Sequence, residues 1–79
     1  MPLSENQAKL LGALFAESER RCSVRELGAM ADVPERTARR EISGLERSGL
    51  AAGTGRGWQI TGRGRALFQK PVYREYGRR

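Results

Sequence analysis

Residues 33–50 read VPERTARREISGLERSGL, and this stretch separates into two faces when it is placed on an α-helix. At 100° per residue, Ala38, Ile42 and Leu45 fall together at the spacing of a stripe that faces a core. The opposite side carries a polar row, which consists of Arg36, Arg40, Ser43 and Arg47, with Arg39 at its edge. The stretch therefore predicts a helix that rests on a small core and turns a row of guanidinium groups outward.

Both ends of this helix are marked in the sequence. Pro34 has a fixed φ and no N–H group, which suits a helix start. Ser48 and Gly49 predict a helix end, with Gly49 in the left-handed conformation and Leu50 packed back onto the last turn. These signals place the helix over residues 34–48.

The length and the charge distribution limit the classes of protein to consider. The 79 residues suffice for one domain with a small core, and a deep catalytic cleft between two lobes is not expected at this length. Residues 1–35 hold 4 Lys and Arg against 6 Asp and Glu, whereas residues 36–79 hold 11 against 3. This asymmetry predicts a polyanion that docks on the second part, although a merely soluble basic surface would give the same composition.

Several kinds of site are excluded by residue type. Cys22 is the single cysteine and the chain has no histidine, which rules out an internal disulfide, a Cys–His zinc site and histidine-dependent acid–base catalysis. Glu41 and Glu46 have basic neighbours on the helix and are expected to be solvated charges, so we expect no enzyme activity, no metal and no cofactor. The sequence shows no apolar leader and no membrane-spanning run, so we expect a cytoplasmic protein without membrane contact.

Two helices are predicted before residue 33. Ser4 with Gln7, and Ser23 with Glu26, have the spacing of capping boxes. The expected buried side chains are Leu10, Leu11, Leu14 and Phe15 in the first helix and Val24, Leu27, Met30 and Ala31 in the second, with a partly buried, inert Cys22 between them. The short second helix, a tight turn and the basic helix form a helix–turn–helix pattern, and the basic outer face favours DNA as its ligand.

After Leu50 the pattern changes to that of a β-hairpin. Strand candidates at 50–52 and 58–60 flank the run 53–57, whose three glycines permit the positive φ angles of a hairpin tip. Arg56 would stand at this tip, where the backbone can approach a phosphate or a minor groove. The alternative is a flexible loop with an incidental arginine.

The end of the sequence predicts a short helix and a tail. Thr61 can cap a helix over 62–69, which Pro71 ends. We therefore divide the chain into a domain at 1–70 and a basic C-terminal tail at 71–79. The tail would be either disordered, with added phosphate contacts, or an arm that packs on a second subunit.

In this order of elements the chain resembles the winged helix–turn–helix DNA-binding domain. Residues 33–50 are similar to the run V-S-x-x-T-x-R-R-x-I-x-x-L-x-x-x-G-L of small bacterial repressors of the DeoR-like group, with matches at Val33, Thr37, Arg39, Arg40, Ile42, Leu45, Gly49 and Leu50. Residues 58–67 are similar to the wing strand and the L-T-x-x-G-R-x-L helix of MarR-like domains. The resemblance spans residues 4–68 and implies a mainly α (α+β) fold, with a three-helix core, a two-stranded wing and a short C-terminal helix.

The resemblance also implies roles for individual residues, with the helix over 34–48 in the major groove. Bases would face Glu35, Arg36, Arg39 and Arg40, phosphates would contact Thr37 and Ser43, and Arg47, Thr54 and Arg56 would complete the DNA-binding set. Two residues depart from the family pattern. Pro34 replaces the usual serine cap and removes one phosphate-contacting hydroxyl, and Gly44 in mid-helix predicts a close approach to the first helix.

The leading hypothesis is a sequence-specific, double-stranded DNA-binding transcriptional regulator of bacterial or phage type, such as a repressor, associated with the nucleoid. The alternative is a winged-helix module that binds a host protein, with an exposed apolar patch that includes Tyr73 and Tyr76. RNA binding is less favoured because the few aromatic residues are not interleaved with the basic row. A homodimer on a two-fold site is expected because one winged helix covers only a few base pairs. Its dimer surface would be the first helix or the C-terminal arm.

Overall fold

Residues 3–74, which the computed structural model describes, form five helices and a two-stranded antiparallel sheet. In chain order the elements are α1 Glu5–Ala16, α2 Val24–Ala31, α3 Glu35–Arg47, β1 Ala51–Thr54, β2 Gly57–Ile60, α4 Gly62–Phe68 and α5 Pro71–Arg74. Three helices precede the β-hairpin and two short helices follow it. The predicted fold class, an α+β winged-helix arrangement, is therefore confirmed.

The core lies where α1, α2 and α3 meet, and the hairpin closes it from one side. Its fully buried aliphatic side chains are Leu10, Leu11, Leu14, Leu27, Ile42 and Leu45. Leu50 and Ile60 are buried, and Trp58 is half-buried against the same cluster. The rings of Phe15 and Phe68, with centroids 5.0 Å apart, join α1 to α4. The inner side of α3 is thus fixed by packing from several elements.

The predicted capping boxes of α1 and α2 are present. The Gln7 N–H donates to Ser4 Oγ at 3.1 Å, and the Ser4 N–H donates to Gln7 Oε1 at 3.2 Å. Ser23 and Glu26 exchange the same two bonds at 3.0 and 2.9 Å. These bonds satisfy N–H groups that the start of a helix leaves without intrahelical partners.

The end of α3 follows the predicted pattern. Gly49 has φ +77°, in the left-handed region that favours glycine. The Gly49 N–H donates to the Glu46 carbonyl at 2.9 Å, and the Leu50 N–H donates to the Leu45 carbonyl at 2.9 Å. This pair of bonds is the Schellman motif, and it turns the chain from α3 directly into the hairpin.

The turn between α2 and α3 is tight because α2 carries a glycine at the contact. Asp32 ends α2 in the left-handed conformation, with φ 57°, and the N–H of the buried Val33 donates to the Gly28 carbonyl at 2.8 Å. A methyl group added at Gly28 would lie 2.8 Å from the Val33 carbonyl oxygen. Gly28 therefore allows the close approach that sets α3 against α2.

The buried side of α2 differs from the prediction at one residue. It consists of Val24, Leu27, Gly28 and Ala31. The prediction that Met30 belongs to this side is wrong, since Met30 is 44% exposed. At 100° per residue Met30 lies roughly 110° from the centre of the buried side, so α3 covers Gly28 and leaves Met30 in solvent.

The hairpin has a shorter tip than the sequence predicted. The antiparallel register leaves only Gly55 and Arg56 in the turn. The predicted tip over 53–57 is too long, because its outer residues belong to the strands. A side chain added at Gly53 would begin 2.8 Å from ring atoms of Trp58, its partner on the opposite strand. Gly53 thus leaves room for the indole and does not serve as a flexible loop residue.

Cys22 pairs with Trp58 of β2 through a single antiparallel bridge beside the sheet. Its N–H donates to the Trp58 carbonyl at 2.9 Å, and its carbonyl accepts the Trp58 N–H at 2.8 Å. The expectation of a partly buried cysteine is wrong, because Cys22 is fully buried. Burial raises the pKa of the Cys22 thiol, as expected of an inert, uncharged side chain.

The first part of the predicted tail is helical. Residues 71–74 form α5, and Tyr73 packs against the core while its hydroxyl accepts the Leu3 N–H at 3.2 Å. The division at residue 70 therefore does not hold for these four residues. Tyr73 is half-buried in this packing, while residues 75–79, including Tyr76, lie outside the described residues.

Glu26 gives the fold a pH dependence. The Ser23 N–H and the Arg20 guanidinium, 2.9 and 3.1 Å from the Glu26 carboxylate oxygens, hold the pKa of Glu26 below its ordinary value. Its stabilising effect is complete above about pH 4.3 and is lost as the pH falls through the lower pKa of the folded state. We expect Glu26→Gln to unfold at a lower temperature than the wild type at neutral pH, as followed by circular dichroism. The difference should shrink towards about pH 3, and an equal difference at both pH values would mean that the charge of Glu26 is not its cause.

Candidate nucleic-acid interface

The outward side of α3 carries a row of polar side chains, here called the arginine face and defined as Arg36, Arg40, Ser43 and Arg47. Ala38, Ile42 and Leu45, on the opposite side of the helix, are fully buried. The three arginines of the face are exposed. Since the inner side is locked into the core, the backbone of α3 is a fixed support from which three guanidinium groups extend into solvent.

Two small residues lie within or beside the arginine face. Ser43 is half-buried, and its hydroxyl donates to the Arg39 carbonyl at 3.1 Å. This bond occupies the hydroxyl proton, so the predicted phosphate contact of Ser43 requires a rotation of that group. A methyl group added at Gly44 would lie 3.0 Å from Gln7 Nε2 of α1, which confirms the predicted close approach.

The four residues expected to face bases differ in their neighbours. Arg39 Nη2 lies 3.0 Å from Glu35 Oε2, and this ion pair joins residues one helical turn apart. Both side chains are largely exposed. Arg40 Nε lies 3.6 Å from Glu41 Oε2, a weak contact for a side chain that is 75% exposed. Arg36 points outward from the first turn. To contact a base, Arg39 must exchange the Glu35 carboxylate for it, which makes this pair a point where affinity can be tuned.

The start of α3 is shifted by one residue from the prediction. Pro34 is the N-cap and not the first helical residue, and its side chain makes no capping hydrogen bond. Thr37 is half-buried and lies roughly 160° around the helix from Arg39, on the flank away from the hairpin. The helix bounds of 35–47 fall within the predicted 34–48.

The tip of the hairpin is held by Thr54. Its hydroxyl accepts the Arg56 N–H at 3.1 Å and donates to the Gly57 carbonyl at 3.2 Å. These two bonds give Thr54 a structural role in the turn, and its contact with DNA stays a prediction. Arg56 is exposed at the tip, where the sequence placed it.

An open cleft of about 390 Å³ separates the hairpin from the starts of α2 and α3, and we call it the wing cleft. Its charged lining residues are Arg25, Arg39, Arg56 and Glu35, and Trp58 contributes an aromatic surface. Three cations and one carboxylate give the wing cleft a positive balance. Arg25 was missed in the sequence because nothing in the first turn of α2 marks it, and only the folding of the hairpin over α2 brings it to the cleft.

Arg20, outside these two surfaces, is held by two carboxylates of the fold. Arg20 lies 2.6 Å from Glu17 and 3.1 Å from Glu26. Within this part of the chain, no three His, Cys, Asp or Glu side chains come together as a metal site would require. The same residues include no helix with the length and the apolar character needed to cross a membrane.

The elements and the surface together define an α+β domain of winged-helix arrangement whose third helix presents a basic outer side. The chain matches the family described as the HVO_A0261 N-terminal domain over residues 1–73, and it belongs to that family. No curated protein and no solved structure matches the chain.

Proposed function

We propose that this protein binds double-stranded DNA in a sequence-specific manner and acts as a transcriptional regulator. In this account α3 occupies the major groove, and the hairpin lies along the backbone or the minor groove. The observation that carries the proposal is the arginine face, because three exposed guanidinium groups extend from a helix whose other side is fully buried. The resemblance to DeoR-like and MarR-like domains supports the same assignment.

The dimensions of α3 suit a major groove. Its 13 residues span about 20 Å at 1.5 Å per residue, and a major groove about 12 Å wide admits one helix. Arg36 and Arg40 lie in the first two turns, the part of a recognition helix that contacts base edges. A guanidinium group can donate to O6 and N7 of one guanine, so these two residues are the proposed determinants of sequence.

The wing cleft suits a sugar–phosphate backbone. Arg25 from α2, Arg39 from α3 and Arg56 from the hairpin reach it from three elements. Contacts from separate elements fix the register of a helix in the groove, which base contacts alone do not. We further propose a nucleoid-associated homodimer on a two-fold site, because a single helix contacts only a few base pairs.

Fluorescence anisotropy with a labelled pool of random duplexes tests DNA binding itself. Each neutralised phosphate contributes about −0.9 to the slope of log K against log salt, so three to five contacts give a slope of roughly −3 to −5. An excess of unlabelled single-stranded RNA should compete poorly. Absence of binding at low salt, or equal competition by RNA, would contradict the proposal.

We expect Glu35→Gln to raise the affinity for duplexes of unrelated sequence several-fold. The substitution removes a negative charge from the interface and releases Arg39 from its 3.0 Å ion pair, so the salt slope should steepen by up to about one unit. Glu5→Gln is the matched control, because Glu5 forms a 3.1 Å pair of the same spacing with Lys9 on α1. An equal gain in both variants would mean that only net charge matters.

A further inference from the structure

A second cleft, of about 650 Å³, is lined by residues from the end of α3, from α4 and from the N-terminal Leu3. We call it the α4 cleft. Its apolar floor consists of Leu3, Leu50, Ala66 and Leu67. Leu3 and Leu67 are half-buried and Ala66 is exposed, so this floor keeps apolar surface in contact with water.

The rim of the α4 cleft is positively charged. Arg47 reaches it from the last turn of α3, Arg63 from the first turn of α4 and Lys70 from the residues after α4. The lining that residues 3–74 provide includes no Asp or Glu. Three cations around an apolar floor are complementary to a ligand that combines apolar side chains with carboxylates.

Local structure explains why the rim is positively charged, but it does not explain why the floor is apolar and exposed. A methyl group added at Gly49 would lie 3.8 Å from Cδ and Nη1 of Arg63, so this arginine lies over the turn that ends α3. Cations are favoured near the C-terminal ends of helices, and α3 and α4 both end beside the cleft. That effect accounts for cations here and gives no reason for exposed apolar surface between them.

We propose that the α4 cleft docks an acidic amphipathic segment of a partner protein. The apolar side chains of the segment cover Leu3 and Leu67, and its carboxylates pair with Arg63 and Lys70. DNA is a poor occupant, because a phosphate backbone offers nothing apolar to the floor. A second copy in a two-fold contact is disfavoured too, since it would bring the two cationic rims together. Arg47 belongs both to the arginine face and to the rim, whereas Arg63 and Lys70, to which the carboxylates are assigned, lie outside the arginine face and the wing cleft. The proposal therefore does not rest on DNA binding.

The test uses the ¹⁵N-labelled full chain and a synthetic 12-residue peptide with Leu and Phe at helical spacing, flanked by Glu. We expect amide shifts at Leu3, Leu50 and Leu67, and at most small shifts at Arg40 and Arg56. A scrambled peptide of the same composition should bind at least about tenfold more weakly. Shifts centred on the arginine face, or equal affinity for the scrambled peptide, would overturn the proposal.

Charge-reversal variants separate this site from general attraction to a basic protein. Lys70→Glu should weaken peptide binding at least about tenfold, whereas Arg56→Glu, with the same change of net charge, should alter it by less than about threefold. A wild-type amide pattern away from the substitution verifies folding, and Lys70→Gln serves if the reversal unfolds the chain. Equal losses in the two reversals would overturn the proposal. The proposal would also fail if hexanoate, at the same concentration as the peptide, reproduced the amide shifts. It would fail as well if a higher protein concentration without peptide produced them.

Discussion

Arg40→Ala is expected to weaken binding to the preferred duplex by about 1–3 kcal/mol, or roughly 5- to 150-fold, and to relax the sequence preference at one base position. Arg40 extends from the second turn of α3 with 75% of its side chain exposed. Its ion pair with Glu41, at 3.6 Å, is long and easily exchanged for a base. The loss should be larger for the preferred sequence than for random duplex.

The change should leave the fold intact, which makes the result interpretable. Alanine is the strongest helix former, and the position is on the solvent side of α3. Unfolding temperatures of wild type and variant should therefore agree within a few degrees. Any loss of binding then reports on the interface and not on stability.

Arg65→Ala is the control for charge alone. It removes one cation from α4, where the guanidinium donates to the Ser18 carbonyl at 3.3 Å, outside the arginine face. We expect this variant to keep its sequence preference and most of its affinity. If Arg40→Ala and Arg65→Ala lost affinity equally and without a change in preference, α3 would not be the recognition helix.

Gly64→Ala is expected to destabilise the fold by about 2–3 kcal/mol, the upper part of the range for overpacked sites. A methyl group at this position would meet the Leu50 carbonyl oxygen, a backbone atom that cannot rotate away, and would lie 2.8 Å from Ile60 Cγ1. The hairpin or α4 must shift to admit it. The unfolding midpoint should fall by roughly 10–20 °C, as followed by circular dichroism.

Gly62→Ala provides the matched control on the same helix. A methyl group there would have no neighbouring atom within 4 Å among those described. Because alanine favours helix more than glycine does, we expect no loss and a gain of up to about 1 kcal/mol. Equal destabilisation in both variants would mean that α4 tolerates no change at its start and that close packing at Gly64 is not the reason.

The predictions that held concern signals contained within one helical turn or one face. The capping boxes at Ser4 and Ser23 need only residues three apart, and the left-handed Gly49 needs only its own turn. The two faces of α3 follow from its period alone. Such local signals were sufficient to predict the order of elements from α1 to α4 and the arginine face.

The predictions that failed depend on contacts between distant parts of the chain. Cys22 is buried because its backbone pairs with Trp58, 36 positions later, and no local pattern predicts such a pairing. Gly53 was assigned to a loop because a glycine gives the same signal whether it bends the chain or makes room for an indole. Tyr73 packs against the core because α5 folds back towards Leu3.

The residues of the candidate nucleic-acid interface also divide into those that local signals predict and those that distant contacts bring together. The arginines of α3 could be found because they share one element, whereas Arg25 joins the wing cleft only after the hairpin folds over α2. The ion pair between Glu35 and Arg39 has the i, i+4 spacing that favours such pairs, yet both residues were assigned to base contacts. The spacing is compatible with an ion pair and with base contacts, and only the geometry shows that the unbound protein forms the ion pair.

Selection from a randomised duplex pool, with sequencing of the bound fraction, shows whether the protein recognises a DNA sequence. We predict an enriched motif that contains guanines, with two-fold symmetry if the protein binds as a dimer. Repeated selection with Arg40→Ala should lose the preference at one position in each half-site. Salt-sensitive binding without any enriched sequence would contradict sequence-specific recognition and leave a basic protein that contacts only the DNA backbone.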